Sequence, residues 1–380
     1  MCYTLIWVAP QKFIIAFVPL REVEGRKLFL LSQNKNKEDN MKTQSFNEIE
    51  NLTKEYSMIP ICKEIYADVI TPIQLLRKME AFDKNFFLLE SVEGGEKWAR
   101  YSFLGYEPVL HITCKNGKVT QKSGEIEHTV TVDPMDALRQ LLHKYKSPKI
   151  EGMPTFTGGF VGYFGYEMIG YAEPKLNIKD SEFDDYNLML FDKVIVYDHL
   201  KQKIMVIANM KSKDGIQGYN TALLEIEKMI ALINDQRKLP VLEADKDVKF
   251  KCNVTKEEYC RMIEKTKHYI KEGDIFQGVI SRRFVADYKS SLINAYRVLR
   301  TTNPSPYMYF IQSDDLQIAG ASPETMVKLV DGKLTTFPVA GTRPRGVNDE
   351  QDKTLEKELL ADEKELAEHN MLVDLARNRV

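Results

Sequence analysis

Apolar positions fall into two rhythms along the chain, and each predicts a different element. At helical spacing, Ile73, Leu75, Leu76 and Met79 follow Thr71-Pro72, with a proline suited to a first turn. Met135, Leu138, Leu141 and Leu142 mark an amphipathic helix over Pro134–Tyr145, and Leu223, Ile226, Met229, Ile230 and Ile233 mark another over Tyr219–Ile233. Thr255 and Glu258 form a capping box that opens a helix running to about Lys271, where Gly273-Asp274 stops it. Ile293–Arg300 reads as a helix ended by Asn303-Pro304-Ser305-Pro306, and Asp352–Arg377 as one long helix rich in Leu and Glu.

Between the helices lie short apolar runs that predict strands. These are Phe86–Ser91, Arg100–Phe103, Leu188–Tyr197, Lys203–Asn209, Ile275–Phe284, Tyr307–Gln312, Gln317–Ala319, Thr325–Leu329 and Lys333–Val339. Val109–Cys114 and Lys118–Gln121 flank Asn116-Gly117, a strong hairpin dipeptide. Gly158–Glu167 alternates glycine with aromatics, which in a strand marks close backbone approach or a bend. Strands and helices mix without a βαβ period or an internal repeat, so an α+β fold with large antiparallel sheets is expected. The charged stretch Asp235–Lys251 is the best linker. It divides the chain into an N-terminal region, 41–236, a linker, 237–252, and a second region, 253–380; a loop within one domain fits it equally.

Composition narrows the class. The 380 residues are 43% hydrophobic and 28% charged with a net charge of −2, which describes a globular chain without a general pull toward nucleic acid or anionic membrane. The five cysteines (Cys2, Cys62, Cys114, Cys252, Cys260) are scattered and form no CxxC pair, so neither a disulfide framework nor a thiolate metal site is indicated. A reducing, cytoplasmic setting follows. Tyr3–Leu20 is apolar but interrupted by Pro10, Gln11 and Lys12, a poor membrane span. Met41 opens a segment resembling an ordinary amino terminus, so residues 1–40 are expected to be an extension without a role in the fold.

Candidate chemistry is densest at Phe337–Gly346, where a strand-like run ends in small residues and then in Arg343 and Arg345. Two readings fit. The turn could cradle a planar carboxylate between bidentate guanidiniums, or it could be a Pro/Gly loop with solvated arginines.

Six motifs in order decide more. They are Leu88–Ser91 with Arg100–Phe103, then Gly273–Gln277, Asn303–Met308, Ala321–Glu324, Pro338–Gly346 and Glu368–Leu375. Together, over about Met41–Asn378, they resemble the anthranilate synthase component I branch of the chorismate-utilising enzymes. That resemblance implies a reaction of chorismate with ammonia, supplied from glutamine by an amidotransferase subunit, to give anthranilate and pyruvate, with tryptophan as feedback inhibitor. It also implies a magnesium ion, with Glu368 as one ligand, and Glu324 as the acid that assists departure of the 4-hydroxyl. Ala340, Gly341 and Thr342 match the loop lining the chorismate pocket. Leu89, Glu90 and Ser91, with Asn303, Pro304, Ser305, Pro306, Tyr307 and Met308, resemble the tryptophan site.

Two positions select among family members. Water-adding relatives carry Lys where this chain has Gln277, and relatives that form a covalent intermediate carry Lys where it has Ala340. Neither residue here can deprotonate water or attack a ring, which favours ammonia as the nucleophile. The family pattern continues beyond Asn378 with a segment bearing a catalytic His, a second magnesium glutamate and the groups for the pyruvyl carboxylate. The expectation is therefore a C-terminally truncated copy that does not convert chorismate alone. A non-catalytic remnant binding tryptophan or the amidotransferase is the alternative, and a water-adding or aminodeoxychorismate-forming enzyme is the second.

Overall fold

The structure is a computed structural model that describes residues 4–7, 13–19, 43–91, 100–178, 181–241, 245, 247–330 and 332–379. In chain order the strands begin with β1 (Thr4–Trp7), β2 (Phe13–Pro19), β3 (Met58–Tyr66), β4 (Asn85–Glu90), β5 (Tyr101–Tyr106) and β6 (Leu110–Lys115). There follow β7 (Lys118–Ser123), β8 (Ile126–Thr131), β9 (Gly159–Gly165), β10 (Tyr186–Phe191), β11 (Lys193–Asp198) and β12 (Lys203–Lys211). The last are β13 (Lys251–Cys252), β14 (Phe284–Val285), β15 (Tyr307–Ser313), β16 (Leu316–Ser322), β17 (Thr325–Val330) and β18 (Lys333–Thr335). The helices are α1 (Phe46–Ile49), α2 (Pro72–Glu80), α3 (Pro134–Lys144), α4 (Ile169–Ala172), α5 (Gly215–Asn234), α6 (Lys256–Glu272), α7 (Ile293–Thr302), α8 (Asp349–Ala361) and α9 (Glu363–Arg379).

Two antiparallel sheets organise these elements. A seven-stranded sheet runs β16-β15-β4-β5-β11-β12-β3, and a nine-stranded sheet runs β18-β17-β1-β2-β9-β10-β6-β7-β8. Side chains alternate across each strand, so a continuous apolar run serves two cores at once. In β4, Phe86 and Leu88 join a cluster with Leu75, Leu76, Ile226, Met229 and Tyr296 from α2, α5 and α7. Phe87 and Leu89 point the other way, to a cluster with Val161, Tyr163, Met189 and Phe191 of the nine-stranded sheet. A third cluster packs Leu138, Leu141 and Leu142 of α3 against Ile112, Phe160 and Leu188 on that sheet's outer face. The layers are thus helices, sheet, sheet, helix, as the α+β expectation required.

Four runs differ from their sequence reading, each for a local reason. Leu188–Tyr197 is not one strand: Asp192 separates β10 from β11, which belong to different sheets. Ile275–Phe284 is mostly irregular, since only its last residue pairs, Phe284 with Cys252 in the short β13–β14 ladder. Lys333–Val339 is a strand only as far as Thr335, where the pairing with β17 ends. The long helix over Asp352–Arg377 is broken at Asp362, whose extended backbone (φ −75°, ψ 107°) ends α8 and whose side chain caps α9.

The two regions separated at 237–252 in the sequence share the seven-stranded sheet, because β15 and β16 lie beside β4. Most of residues 1–40, the extension expected to have no role in the fold, lies outside the described residues. The described pieces, β1 and β2, pair with each other and bridge β17 to β9.

Candidate active site

Of the residues matched to chorismate chemistry, Gln277, the Ala340–Thr342 loop and Glu368 lie together, in the stretch made of α6, α8, α9 and the loops around them. Neither α6 nor α8 buries a residue, so this part is held by polar contacts and the chain's own turns. Thr255 caps α6 by accepting from the Glu258 N–H at 3.2 Å, and Gly273 ends it in the left-handed region (φ +83°). The chain then turns and delivers Gln277, whose Nε2 donates to Glu368 Oε1 at 3.1 Å. Two residues 91 positions apart therefore meet, and both come from the matched motifs.

The Phe337–Gly346 loop packs against the same helix. Gly341 sits at φ +71°, and a Cβ there would stand 2.9 Å from Leu359 Cδ1 and 3.1 Å from Glu365 Oε2. Both the dihedral and the close approach call for glycine. Ala340 is half-buried beside it, and Thr342 is exposed.

The arginines do bind carboxylates, but the chain's own. Arg343 Nη2 donates to Asp362 Oδ2 at 2.7 Å, with Glu358 and Glu365 at 3.5 and 3.7 Å from other guanidinium nitrogens. Arg345 forks onto Asp352, Nε to Oδ1 at 2.9 Å and Nη2 to Oδ2 at 2.5 Å. The solvated-arginine reading fits Arg345, whose side chain is 90% exposed, but neither reading describes Arg343, 22% exposed and held by the chain's own carboxylates. The carboxylates lie on α8, at the α8–α9 break and on α9, which only the folded chain brings near.

Glu324 stands on the turn between β16 and β17, half-buried, its N–H donating to Ser322 Oγ at 3.4 Å. Burial raises its pKa above the usual 4.5. The structure gives it no hydrogen bond to Gln277, Thr342 or Glu368, so it stands apart from the cluster those residues form. The next residue, Thr325, shares a hydrogen bond with Tyr307. A carboxyl held with a raised pKa costs the fold when it ionises. Its contribution is fully present below 4.5 and is lost as pH rises through the folded-state value. Glu324→Gln is therefore expected to match the parent's unfolding free energy in acid and to equal or exceed it at neutral pH. Urea titrations at both pH values check this; a variant weaker than its parent only at neutral pH would contradict it.

Of the residues matched to an inhibitor site, Leu89, Glu90 and Met308 lie in one strand pair. Glu90 lies opposite Met308, and Leu89 opposite Tyr309, in the β4–β15 ladder. Ser305 and Met308 are buried, whereas Asn303 and Pro304 are exposed and Ser91 is half-buried. The Glu90 side chain is only 2% exposed, and both its oxygens are engaged. Arg300 donates through Nε to Oε1 at 2.5 Å and through Nη2 to Oε2 at 2.8 Å, and the Tyr296 hydroxyl donates to Oε1 at 2.7 Å. Tyr296 and Arg300 were not among the sequence candidates. Their signal was available, since residues four apart on a predicted helix share a face. The neighbouring motif has a similar architecture: Arg100 Nη2 meets buried Asp198 at 2.8 Å, and Ser102 Oγ lies 2.7 Å from His199 Nε2.

This combination of two stacked antiparallel sheets, with three matched motifs on or beside the seven-stranded sheet and three on the loop and helices around Glu368, defines a class that the comparisons make specific. The profile of the chorismate binding enzyme family matches residues 84–380. Anthranilate synthase component 1 of Acetivibrio thermocellus is 41% identical over 347 residues, covering 88% of this chain and 70% of the relative. That of Aquifex aeolicus is 39% identical over 353 residues, covering 88% and 69%. The crystal structure of anthranilate synthase component I from Streptococcus pneumoniae superposes with a TM-score of 0.64 at 33% identity, covering 83% of this chain and 67% of that one. The chain belongs to the chorismate binding enzyme family, in its anthranilate synthase component I branch.

Proposed function

We propose that this chain is the chorismate-handling component of anthranilate synthase in the first step of tryptophan biosynthesis. Chorismate loses its 4-hydroxyl, ammonia adds at C2, and elimination of pyruvate leaves anthranilate. Family membership carries this reading. In this reading the ammonia comes from glutamine through an amidotransferase subunit. The cytoplasm is the proposed setting, consistent with the free thiols of Cys62, Cys114, Cys252 and Cys260. No helix among the described residues is long and apolar enough to cross a membrane.

Each residue takes a role its surroundings permit. Glu324 donates a proton to the departing hydroxyl, a task helped by a carboxyl that keeps its proton to higher pH. Gln277 is neutral, which suits a nucleophile needing no general base, and Ala340 offers no amine for a covalent route. Among the described residues no cluster of three or more His, Cys, Asp or Glu is arranged as a metal cage. Magnesium does not need one: it takes one or two carboxylates and completes its shell with water and substrate oxygens. Glu368, half-buried with one oxygen turned to Gln277, fits that demand and would hold it. The ion, when bound, supplies Lewis-acid charge at the ring carboxylate. Tryptophan is the proposed inhibitor at Leu89–Ser91 and Asn303–Met308, a reading supported by the pairing of Glu90 with Met308 where the two segments adjoin. Linkage then requires tryptophan and chorismate to weaken each other's binding by the same factor.

Calorimetry on the purified chain tests the reading. Chorismate is expected to bind in the presence of magnesium and more weakly once tryptophan is added. Tryptophan binding without any chorismate binding would leave a non-catalytic binder in its place, and binding of neither would overturn it.

A further inference from the structure

We infer that Arg343 is a positioning residue for the chorismate reaction, fixing the helix that carries Glu368 to the loop that carries Ala340–Thr342. The inference rests on the function proposed above and adds a residue to it. Asp362 is the joint. Its Oδ1 accepts the Lys364 and Glu365 N–H groups at 3.1 and 3.2 Å, which caps the N-terminus of α9. Its Oδ2 takes the Arg343 guanidinium at 2.7 Å. One carboxylate thus ties the first turn of α9 to the substrate loop. Glu368 lies one turn beyond Glu365 on the same helix, at the height where it meets Gln277.

Several carboxylates converge on Arg343. Glu358 on α8, Asp362 at the break and Glu365 on α9 all reach its guanidinium within 3.7 Å. Without it, three negative charges would face one another across the break, and α8 and α9 would be driven apart. Glu365 also faces Gly341, so its movement would open the loop's contact with the helix. An ion pair within reach of water is worth little as stability. The value of this one lies in geometry, because the helix it sets carries a ligand and the loop it anchors carries the pocket. Arg345 is a lesser staple, since its side chain is 90% exposed and its partner sits in the first turn of α8.

Chorismate affinity in the presence of magnesium, measured by calorimetry on the whole chain, separates positioning from capping. Arg343→Gln is expected to weaken binding about tenfold, or 1.4 kcal/mol. Asp362→Asn keeps a good cap but loses the charge that holds Arg343, so it should weaken binding similarly. The double variant should be no worse than either single one, and Arg343→Lys should recover part of the loss. Arg139→Gln, which breaks an exposed pair with Asp136 on α3, serves as the control and should change nothing. Circular dichroism and the urea midpoint confirm that each variant is folded. Affinity retained in both Arg343→Gln and Asp362→Asn overturns the inference, as does additivity in the double variant. An unmodified chain that binds no chorismate instead removes the functional reading on which it rests.

Discussion

Glu90→Ala is expected to destabilise the chain by about 3–5 kcal/mol, the cost of stripping one partner from a buried ion pair. The deletion removes a carboxylate that is 2% exposed and strands two donors. One is the Tyr296 hydroxyl, on a residue with no exposed surface. The other is the Arg300 guanidinium, 28% exposed, which water reaches in part, so the lower half of the range is expected. Against a total stability of about 5–15 kcal/mol for a folded domain, such a loss is large. Glu90→Gln keeps the shape and one acceptor and should cost less, about 1–3 kcal/mol. Urea unfolding at 25 °C measures both. A loss below 1 kcal/mol for the alanine variant would show that the pair contributes no more than a surface contact does. Function enters because Arg300 lies three residues before Asn303. The same helix that grips Glu90 leads into the Asn303-Pro304 turn, so loosening the pair should also weaken tryptophan binding at the inhibitor site proposed above.

Local signals made much of the fold legible and left the long-range joins hidden. Thr71-Pro72, the Thr255–Glu258 box and Asn116-Gly117 each act within a few residues, and each stands where the pattern placed it. Apolar runs revealed strands but not their partners. Nothing local to Leu188–Tyr197 states that Asp192 hands the chain from one sheet to the other, because both halves are apolar and buried. The same limit applies to the site. Motifs pointed to Gln277 and Glu368 separately, and only folding sets them 3.1 Å apart. The arginines of the Pro338–Gly346 motif looked ready for a ligand, yet a guanidinium donates to any well-placed carboxylate, and Asp352 and Asp362 are close at hand. Asp362 itself was hidden inside an acidic helical pattern. Aspartate is a poor interior residue and a good cap, and that preference is the signal that a break was there.

Gly162→Val should be the most damaging single change to the nine-stranded sheet. Glycine alternating with aromatics suggested a close backbone approach, and β9 shows where it occurs. Gly162 lies opposite Leu188 in the ladder with β10, and a Cβ there would fall 2.0 Å from the Asn187 carbonyl oxygen and 2.8 Å from Leu188 Cα. Those atoms are backbone in an interior strand, so no rotamer change relieves the contact and the strands themselves must part. Overpacking typically costs about 1–3 kcal/mol; alanine should reach the top of that range and valine exceed it. The disturbance reaches the candidate regulatory strand. Asn187 Oδ1 accepts from Ser313 Oγ at 3.0 Å, and Ser313 ends β15, the strand that begins with Tyr307 and Met308. If tryptophan binds at the site proposed above, a displaced Asn187 should therefore lower its affinity in whatever fraction stays folded. Gly170→Ala is the matched control, since its Cβ would meet only Ile178 Cγ1 at an ordinary 3.6 Å. If urea midpoints for Gly162→Ala and Gly170→Ala coincide, the close approach at β9 has no energetic weight; a large gap between them locates the strain in the sheet that backs the site.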